Sequence, residues 1–329
     1  MRLPRRTRVF LALALLAGGL AVFRLDRRYQ GFQEEAYVDI PRGASTAAIA
    51  RLLAGAGVVP TRWDFLLARL ALRGRKLQAG EYRFRQPASP VEVYGRIARG
   101  DVFYYELVVP EGRNMFDIAA SVEKLGLFSA QDFLAAARDP ALIHDLDPRA
   151  PTLEGYLFPG SYRLNRHISP EQLCRLMTGE FREKWSAMVA GGDVHDAVTL
   201  ASLVEKESKL PGERPLIAAV FRNRLRLGMK LDCDPTTIYA ALLADRYRGT
   251  IYESDLERDS PYNTYRRAGP PPGPIANPGL AAIDAALRPA ASSALYFVLR
   301  PDGSGAHEFS DNVAAHQVAV AKYRRGRSR

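Results

Sequence analysis

The sequence contains little that would support metal, redox or nucleotide chemistry. Its 329 residues include two cysteines, Cys174 and Cys233, and five histidines. The cysteines form no CxxC and no Cys/His spacing, so they indicate no metal site, and the sequence leaves open whether they pair. A glycine-rich phosphate loop and an alternating arginine-aromatic run are both absent from the sequence. We therefore predict no cofactor, no metal and no nucleic-acid partner.

Positive charge, by contrast, is in excess. The formal net charge is +10, and most of the basic residues are arginines. Such an excess favours an anionic partner, either a membrane surface or an acidic polymer such as cell-wall glycan. The apolar and charged fractions, 47% and 25%, are those of an ordinary globular protein. The length allows two domains, or three small ones.

An uncharged run, Val9–Phe23, follows an arginine-rich start. It is shorter than the roughly 20 residues of a typical membrane-spanning helix, but the side chains of Arg8 and Arg24 can extend its reach. A cleaved signal peptide has an apolar region of similar length, although no clear Ala-x-Ala cleavage site follows here. We predict an uncleaved transmembrane anchor over residues 9–25, preceded by a cytoplasmic tail, residues 1–8.

Strands and helices are predicted to alternate in the segment that follows. Strands are expected at 37–40, 80–84 and 103–109, with helices through 49–53, 63–72 and 90–98. A pattern of small and apolar positions recurs 69 residues later: Pro41, Gly43, Ile49, Ala50, Leu53 and Gly57 match Pro110, Gly112, Ile118, Ala119, Val122 and Gly126. Two related strand-turn-helix units, or chance recurrence of a common pattern, explain this match.

The rest of the chain is predicted to be mainly helical. A segment rich in proline and aspartate, 139–151, is the best linker candidate. Beyond it we predict helices over 169–190, 194–209, 214–227, 236–244 and 312–324, strands over 294–299 and 307–309, and a basic tail, 325–329. Residues 260–279 are too rich in proline for regular structure.

One helical stripe ends on a carboxylate. Leu200, Leu203, Val204 and Glu207 are spaced i, i+3, i+4, i+7, while Glu205 projects about 200° away from Glu207. A carboxyl group on an apolar stripe is desolvated, which raises its pKa and suits it to general-acid catalysis. The alternative is a structural carboxylate paired with a lysine or arginine, and the spacing alone favours that reading because such carboxylates are far more numerous.

Seven motifs in order give a more specific indication. Together they resemble the YceG-like (MltG) family of endolytic murein transglycosylases of the bacterial inner membrane. The motifs are EGYLFPGSY (154–162), ASLVEKES (201–208), VFRNRLRLGMKLDCDPTTIYA (220–240), SPYNTY (260–265), GPPPGPIANPG (269–279), LYFV (295–298) and HEFSDNVAAH (307–316).

The resemblance implies an α+β protein with an N-terminal transmembrane helix. A LysM-like α+β region (37–109), a second strand-turn-helix unit with linker (110–150) and a mixed α/β catalytic domain (151–324) would follow. The protein would cross the inner membrane once, with its catalytic domain facing the periplasm. Its substrate would be peptidoglycan glycan strands, and cell-wall synthases would be its partners.

The resemblance also implies site residues. The family's essential carboxylate is the second glutamate of its Glu-Lys-Glu motif, which matches Glu207, with Glu205 as the alternative. Such enzymes cleave the MurNAc-β-1,4-GlcNAc bond without water and leave 1,6-anhydro-MurNAc ends, trimming or terminating nascent strands. For substrate binding and positioning we select Tyr265 with Asn263, and more weakly Asn223, Asp234 and Tyr162.

Two positions depart from the family pattern, and two rival functions remain. Asp232 stands where a glutamine is usual, and Pro270 where a leucine is usual. A water-using muramidase would need a second carboxylate, for which Asp232 and Asp234 are the candidates. A non-catalytic glycan-binding scaffold would need no carboxylate, and the presence of Glu207 with Ser208 after it favours the enzyme.

Overall fold

The computed structural model describes residues 4–72, 74–188 and 192–327. The chain divides into two units, residues 1–105 and residues 106–329. Helices and two-stranded sheets occur in both, so the predicted α+β class is confirmed. Parts of three predicted segments lie outside the described residues: 1–3 of the N-terminal tail, 189–190 of the helix over 169–190, and 328–329 of the basic tail.

The first unit begins with the apolar helix. Its elements are α1 (Arg5–Asp26), β1 (Ala36–Ile40), α2 (Thr46–Gly55), α3 (Arg62–Ala71), β2 (Gly80–Phe84) and α4 (Pro90–Arg99). Residues Arg6–Asp26 are long and apolar enough to cross a membrane, and the apolar stretch is unburied. A signal sequence has the same properties. The assignment of residues 37–109 as LysM-like stays a prediction.

A small core holds the first unit together. The β1 and β2 strands pair antiparallel, from Ala36 opposite Phe84 to Ile40 opposite Gly80. Alternate strand residues point inward, as a half-buried sheet requires, and pack on the apolar faces of the helices. The buried cluster includes Val38, Ile40, Tyr82, Phe84, Ile49, Leu53, Phe65 and Ile97.

The end of α1 is fixed to this core. Leu25 packs against it, and the Arg24 guanidinium donates to the Asp64 carboxylate at 2.9 Å. Asp64 is 1% exposed, and it also accepts from the Thr61 hydroxyl. A buried carboxylate is costly unless it is paired, so Arg24 belongs structurally to the folded unit as well as to the helix.

The second unit is mostly helical. Its elements are β3 (Tyr105–Val109), α5 (Met115–Lys124), α6 (Ala130–Arg138), β4 (Gly160–Leu164), α7 (Pro170–Met188), α8 (Val194–Glu207), α9 (Arg214–Arg226), α10 (Asp234–Leu243), α11 (Glu253–Leu256), α12 (Leu280–Leu287), β5 (Tyr296–Leu299), β6 (His307–Ser310) and α13 (Val313–Arg327). Strand β3 pairs with β4, and β5 pairs antiparallel with β6. The proline- and aspartate-rich segment 139–151 lies within this unit, where Ile143 and Asp147 are buried.

Helix α8 lies at the centre of the second unit. Residues Val194–Val204 are all buried except Asp196, and the helix packs against α9, α10 and α12. Asp193 caps its first turn by accepting from the backbone N–H of Asp196. A helix that is apolar nearly all round is a core helix. Its C-terminal residue, Glu207, therefore emerges directly from the most buried part of the unit.

Candidate active site

Glu207 is the last residue of α8 and is only partly exposed. The Cys233 thiol donates a hydrogen bond to its Oε1 atom over 3.2 Å. Burial raises the pKa of Glu207; the thiol acts against this shift, the charge of Asp234 adds to it, and His307 opposes it. The negative end of the α8 dipole lies at the same place and also disfavours a carboxylate. Burial and the helix dipole therefore both favour the protonated form of this carboxyl group.

Cys233 is held in place by its neighbours. Its backbone N–H donates to the Thr264 hydroxyl at 3.1 Å, and its carbonyl accepts from the Thr236 hydroxyl at 2.6 Å. The preceding Asp232 has a φ of 48°, in the left-handed region that non-glycine residues rarely adopt. The turn directs the thiol inward, where burial raises its pKa well above the usual value. Both cysteines are free and buried.

The next residue, Asp234, binds a tyrosine. The Tyr265 hydroxyl donates to Asp234 Oδ1 at 2.5 Å, and burial followed by this bond raises the pKa of Tyr265. Helix α10 starts at Asp234, and no side chain caps it. The Asp234 carboxylate accepts the hydrogen bond of the Tyr265 hydroxyl instead of accepting from the backbone N–H groups of the first helical turn. Glu207, Cys233, Asp234 and Tyr265 form one cluster.

Asn263 supports Tyr265 from inside the protein. It is 1% exposed, and its amide donates to the backbone carbonyls of Asp255, Leu256 and Arg258. Its Oδ1 accepts from the backbone N–H of Tyr265 at 3.0 Å. Asn263 thus shapes the loop that carries the tyrosine.

The two weaker candidates are bonded to backbone carbonyls. Asn223 donates to the carbonyls of Ser292 and Ala294, at 2.8 and 3.0 Å, just before β5. Tyr162 donates to the carbonyl of Phe158 at 2.5 Å. Both side chains therefore stabilise nearby backbone in the second unit, and their roles in substrate binding stay predictions.

Glu205 is placed quite differently from Glu207. Its carboxylate accepts from the Arg214 guanidinium at 2.7 Å and from the Gly279 backbone N–H at 3.0 Å, and its side chain is 6% exposed. These bonds join α8 to the start of α9 and to the loop before α12. The serine after Glu207 is also used locally, because the Ser208 hydroxyl donates to the carbonyl of Leu210.

Asp232 is one of the two candidates for the second carboxylate that a muramidase would require. Its side chain is 46% exposed and lies 3.3 Å from the Arg224 guanidinium. Asp234 is hydrogen-bonded to Tyr265, as described above. Each carboxylate thus already has a partner, a cation or a phenol.

The sequence patterns did not indicate one further buried carboxyl group, that of Glu154. Glu154 is 1% exposed, and it accepts from the Met115 N–H at 2.9 Å and from the Asn277 amide at 2.9 Å. Burial raises its pKa to about 8, while the Met115 N–H and the Tyr239 hydroxyl oppose the shift. The Asn277 Oδ1 accepts from the backbone of Gly155 and Leu157. Glu154 thus connects three of the sequence motifs. In the sequence, the one indication of its role was a charged residue at the start of an otherwise uncharged, aromatic-rich motif.

The proline-rich loop lies mostly inside the second unit. Residues 273–279 are buried. The N–H of Ile275 donates to the Ser202 hydroxyl at 3.1 Å, and the N–H of Asn277 to the carbonyl of Arg113 at 2.9 Å. The buried part of the loop is therefore hydrogen-bonded to the core helix α8 through Ser202.

Comparison with known proteins identifies the family. Residues 38–322 match the YceG-like family. A Bacillus subtilis (strain 168) protein named endolytic murein transglycosylase is 32% identical over 307 residues, covering 87% of this chain and 84% of that protein. A protein of the same name from Streptococcus pneumoniae (strain D39) is 30% identical over 319 residues, and the match covers 58% of its length.

A solved structure gives the same result. The crystal structure of a yceG-like protein from Listeria monocytogenes superposes with a TM-score of 0.55 at 30% identity, covering 87% of this chain and 99% of that one. Sequence and fold therefore agree over most of the length, and the chain belongs to the YceG-like family.

Proposed function

We propose that the chain is a membrane-anchored lytic transglycosylase that cleaves peptidoglycan strands internally. The observation that carries this proposal is the protonatable Glu207 carboxyl group at the end of the core helix, within a cluster of polar side chains. The names of the relatives support the same activity.

The proposed reaction needs one carboxyl group and no water. Protonated Glu207 gives its proton to the glycosidic oxygen of the MurNAc-β-1,4-GlcNAc bond, and that bond breaks. The resulting carboxylate then takes the proton from the C6 hydroxyl of the same MurNAc, whose oxygen bonds to C1 and closes the 1,6-anhydro ring. An acid that later acts as a base works best when its pKa is near the working pH, and the burial of Glu207 moves its pKa in that direction.

Neighbouring side chains support this chemistry. The Cys233 thiol holds one oxygen of Glu207, which leaves the other oxygen for the substrate. The Asp234–Tyr265 pair supplies electron-rich oxygens for the positive charge that develops on the sugar. Asn263 acts through Tyr265, whose backbone it holds. We propose Cys233 and Asn263 as positioning residues.

The remaining assignments concern location. Helix α1 would anchor the protein in the inner membrane, with the second unit facing the periplasm, and the LysM-like region would bind glycan. Association with cell-wall synthases, and the trimming or termination of nascent strands, follow from the family resemblance alone.

A matched pair of variants tests the proposal. Glu207→Gln removes the proton and keeps the shape, so we expect turnover of purified glycan strands to fall by about 10²- to 10⁴-fold. Glu205→Gln changes the neighbouring carboxylate of the same helix and should keep most activity per folded molecule. Loss of turnover in Glu205→Gln, with Glu207→Gln active, would reverse the assignment. Thermal unfolding of both variants confirms that each is folded.

A further inference from the structure

A groove rich in arginine lies in the first unit, on the face formed by β2 and α4. Its volume is about 1020 Å³, which is ample for a small ligand. The arginines among the described residues that line it are Arg28, Arg75, Arg83, Arg85, Arg96 and Arg99, and they are accompanied by two carboxylates, Glu92 and Asp101. The groove therefore carries a clear excess of positive charge.

Two of the arginines are fixed against aromatic rings. The Arg83 guanidinium lies 4.0 Å from the centre of the Phe103 ring, and that of Arg96 lies 4.6 Å from the centre of the Phe84 ring. Arg96 also donates to the backbone carbonyl of Arg83 at 2.9 Å. These contacts hold the planar groups in defined positions at low entropic cost, as a preorganised site requires.

Like charges are close together in this groove. Burial lowers the pKa of Arg96; Asp101 opposes the shift, and the charges of Arg99 and Arg83 add to it. The Asp101 carboxylate interacts with both Arg96 and Arg99, and it accepts a hydrogen bond from Arg99 at 2.8 Å. Partly desolvated cations repel one another unless an anion lies between them. Arg28 and Arg85 are already paired with carboxylates, Glu92 and Glu35, at 2.8 and 3.0 Å. The repulsion that a bound anion would relieve is therefore that between Arg96 and its neighbours Arg83 and Arg99.

The groove lies close in sequence and in space to the C-terminal end of helix α1. Arg28 follows the end of α1 by two residues, and its guanidinium donates to Glu92 on α4 at 2.8 Å. The next residue, Tyr29, exchanges backbone hydrogen bonds with Ala88 at 3.1 and 3.2 Å. Two extended residues span at most about 7 Å. If α1 crosses a membrane, the groove therefore lies at the level of the lipid headgroups.

We propose that this groove binds the phosphate-bearing headgroup of an anionic membrane lipid. The planar guanidinium group of an arginine can donate two parallel hydrogen bonds to two oxygens of one phosphate. Arginine is therefore the preferred residue for binding phosphate groups in this bidentate geometry. The lipid source rests on the membrane assignment of α1, whereas binding of the anion does not depend on Glu207 or on catalysis.

The first experiment measures anion binding by the full chain in an uncharged detergent, with inorganic diphosphate as the probe in calorimetric titrations. Arg75→Gln/Arg99→Gln removes two exposed groove arginines and should weaken binding at least ten-fold. Arg42→Gln/Arg51→Gln removes the same charge from exposed positions outside the groove lining and should bind like the wild type. Equal weakening in both variants, or no binding by the wild type, would overturn the proposal.

The second experiment identifies the source of the phosphate. Hydrogen exchange over residues 80–99 is compared for the full chain in nanodiscs of phosphatidylcholine alone and of phosphatidylcholine with phosphatidylglycerol. We expect slower exchange with the anionic lipid in the wild type and in Arg42→Gln/Arg51→Gln, and no such change in Arg75→Gln/Arg99→Gln. Slower exchange only on adding soluble diphosphate, or only on adding peptidoglycan fragments, would overturn the lipid assignment.

Glycan cleavage by the same preparations separates this result from the activity. An active enzyme without the lipid effect would refute the groove proposal alone, and an inactive enzyme with the lipid effect would leave the groove proposal standing while refuting the proposed function.

Discussion

Removal of the Cys233 thiol offers a sensitive test of how Glu207 works. The thiol donates to Glu207 Oε1 over 3.2 Å and favours the carboxylate, so Cys233→Ala should raise the pKa of Glu207 further. A hydrogen bond of this kind contributes about 0.5–1 kcal/mol, since a thiol is a weak donor. Because one pKa unit corresponds to about 1.36 kcal/mol, the expected shift is about 0.4–0.7 pH unit.

The direction of the shift is fixed by the role of Glu207. A general acid must be protonated, so it sets the alkaline limb of the pH dependence of kcat/KM. Cys233→Ala should move this limb to higher pH. Cys233→Ser, with a stronger donor at the same position, should move it to lower pH. The assay is the initial rate of cleavage of uncrosslinked glycan strands between about pH 4 and about pH 9.

A second buried cysteine provides the control. Cys174→Ala alters a free thiol in α7, away from the Glu207 cluster, and should leave the limb unchanged. If Cys233→Ala and Cys233→Ser both keep the wild-type limb and differ only in rate, the thiol merely packs beside Glu207, and the reasoning is refuted.

Three further predictions concern stability. Glu205→Gln removes the nearer carboxylate of Arg214 and leaves it only the more exposed Glu111, 3.7 Å away. The free energy of unfolding should fall by about 3 kcal/mol in a denaturant titration, while activity per folded molecule stays within about two-fold. The pKa of folded Glu154 is raised from 4.5 to about 8, so the folded state holds this proton more tightly, and stability should fall as the pH rises through that range. Glu154→Gln should flatten this fall in denaturation midpoints compared at about pH 6 and about pH 9, and an unchanged slope would contradict the assignment. Deletion of residues 1–20 should give a protein that is soluble without detergent. Deletion of residues 1–24 also removes Arg24, the ion-pair partner of buried Asp64, and this shorter protein should be less stable by about 1–2 kcal/mol. Equal denaturant midpoints for the two shortened proteins would show that Arg24 contributes nothing to stability.

Local patterns predicted the local features of the structure. The stripe that ends at Glu207 is a property of one helix, and the structure has that helix, α8, ending at this residue. The strands predicted at 37–40 and 80–84 are likewise present, at 36–40 and 80–84. Helix α12 was missed because its sequence, LAAIDAAL, is apolar on nearly every face and gives no clear period. Strand β4 was missed because it begins at Gly160, within a proline-glycine pair of the kind that usually marks a turn.

Contacts between distant residues were beyond the reach of the sequence. Cys233 is 26 positions from Glu207, and nothing in its spacing marked it as more than a possible disulfide partner. The difference between Glu205 and Glu207 arises in the same way, because Arg214 and Gly279 approach only one of the two carboxylates. Helical geometry separated the two side chains, and tertiary packing gave them different environments.

The most direct measurement follows the oxygen atoms of the product. Purified glycan strands are cleaved in water labelled with oxygen-18, and the new MurNAc ends are analysed by mass spectrometry, with Glu207→Gln as the blank. If Glu207 passes its proton within the substrate, the ends are 1,6-anhydro and contain no label. Labelled reducing ends would show that water attacks the sugar and would contradict the proposed mechanism.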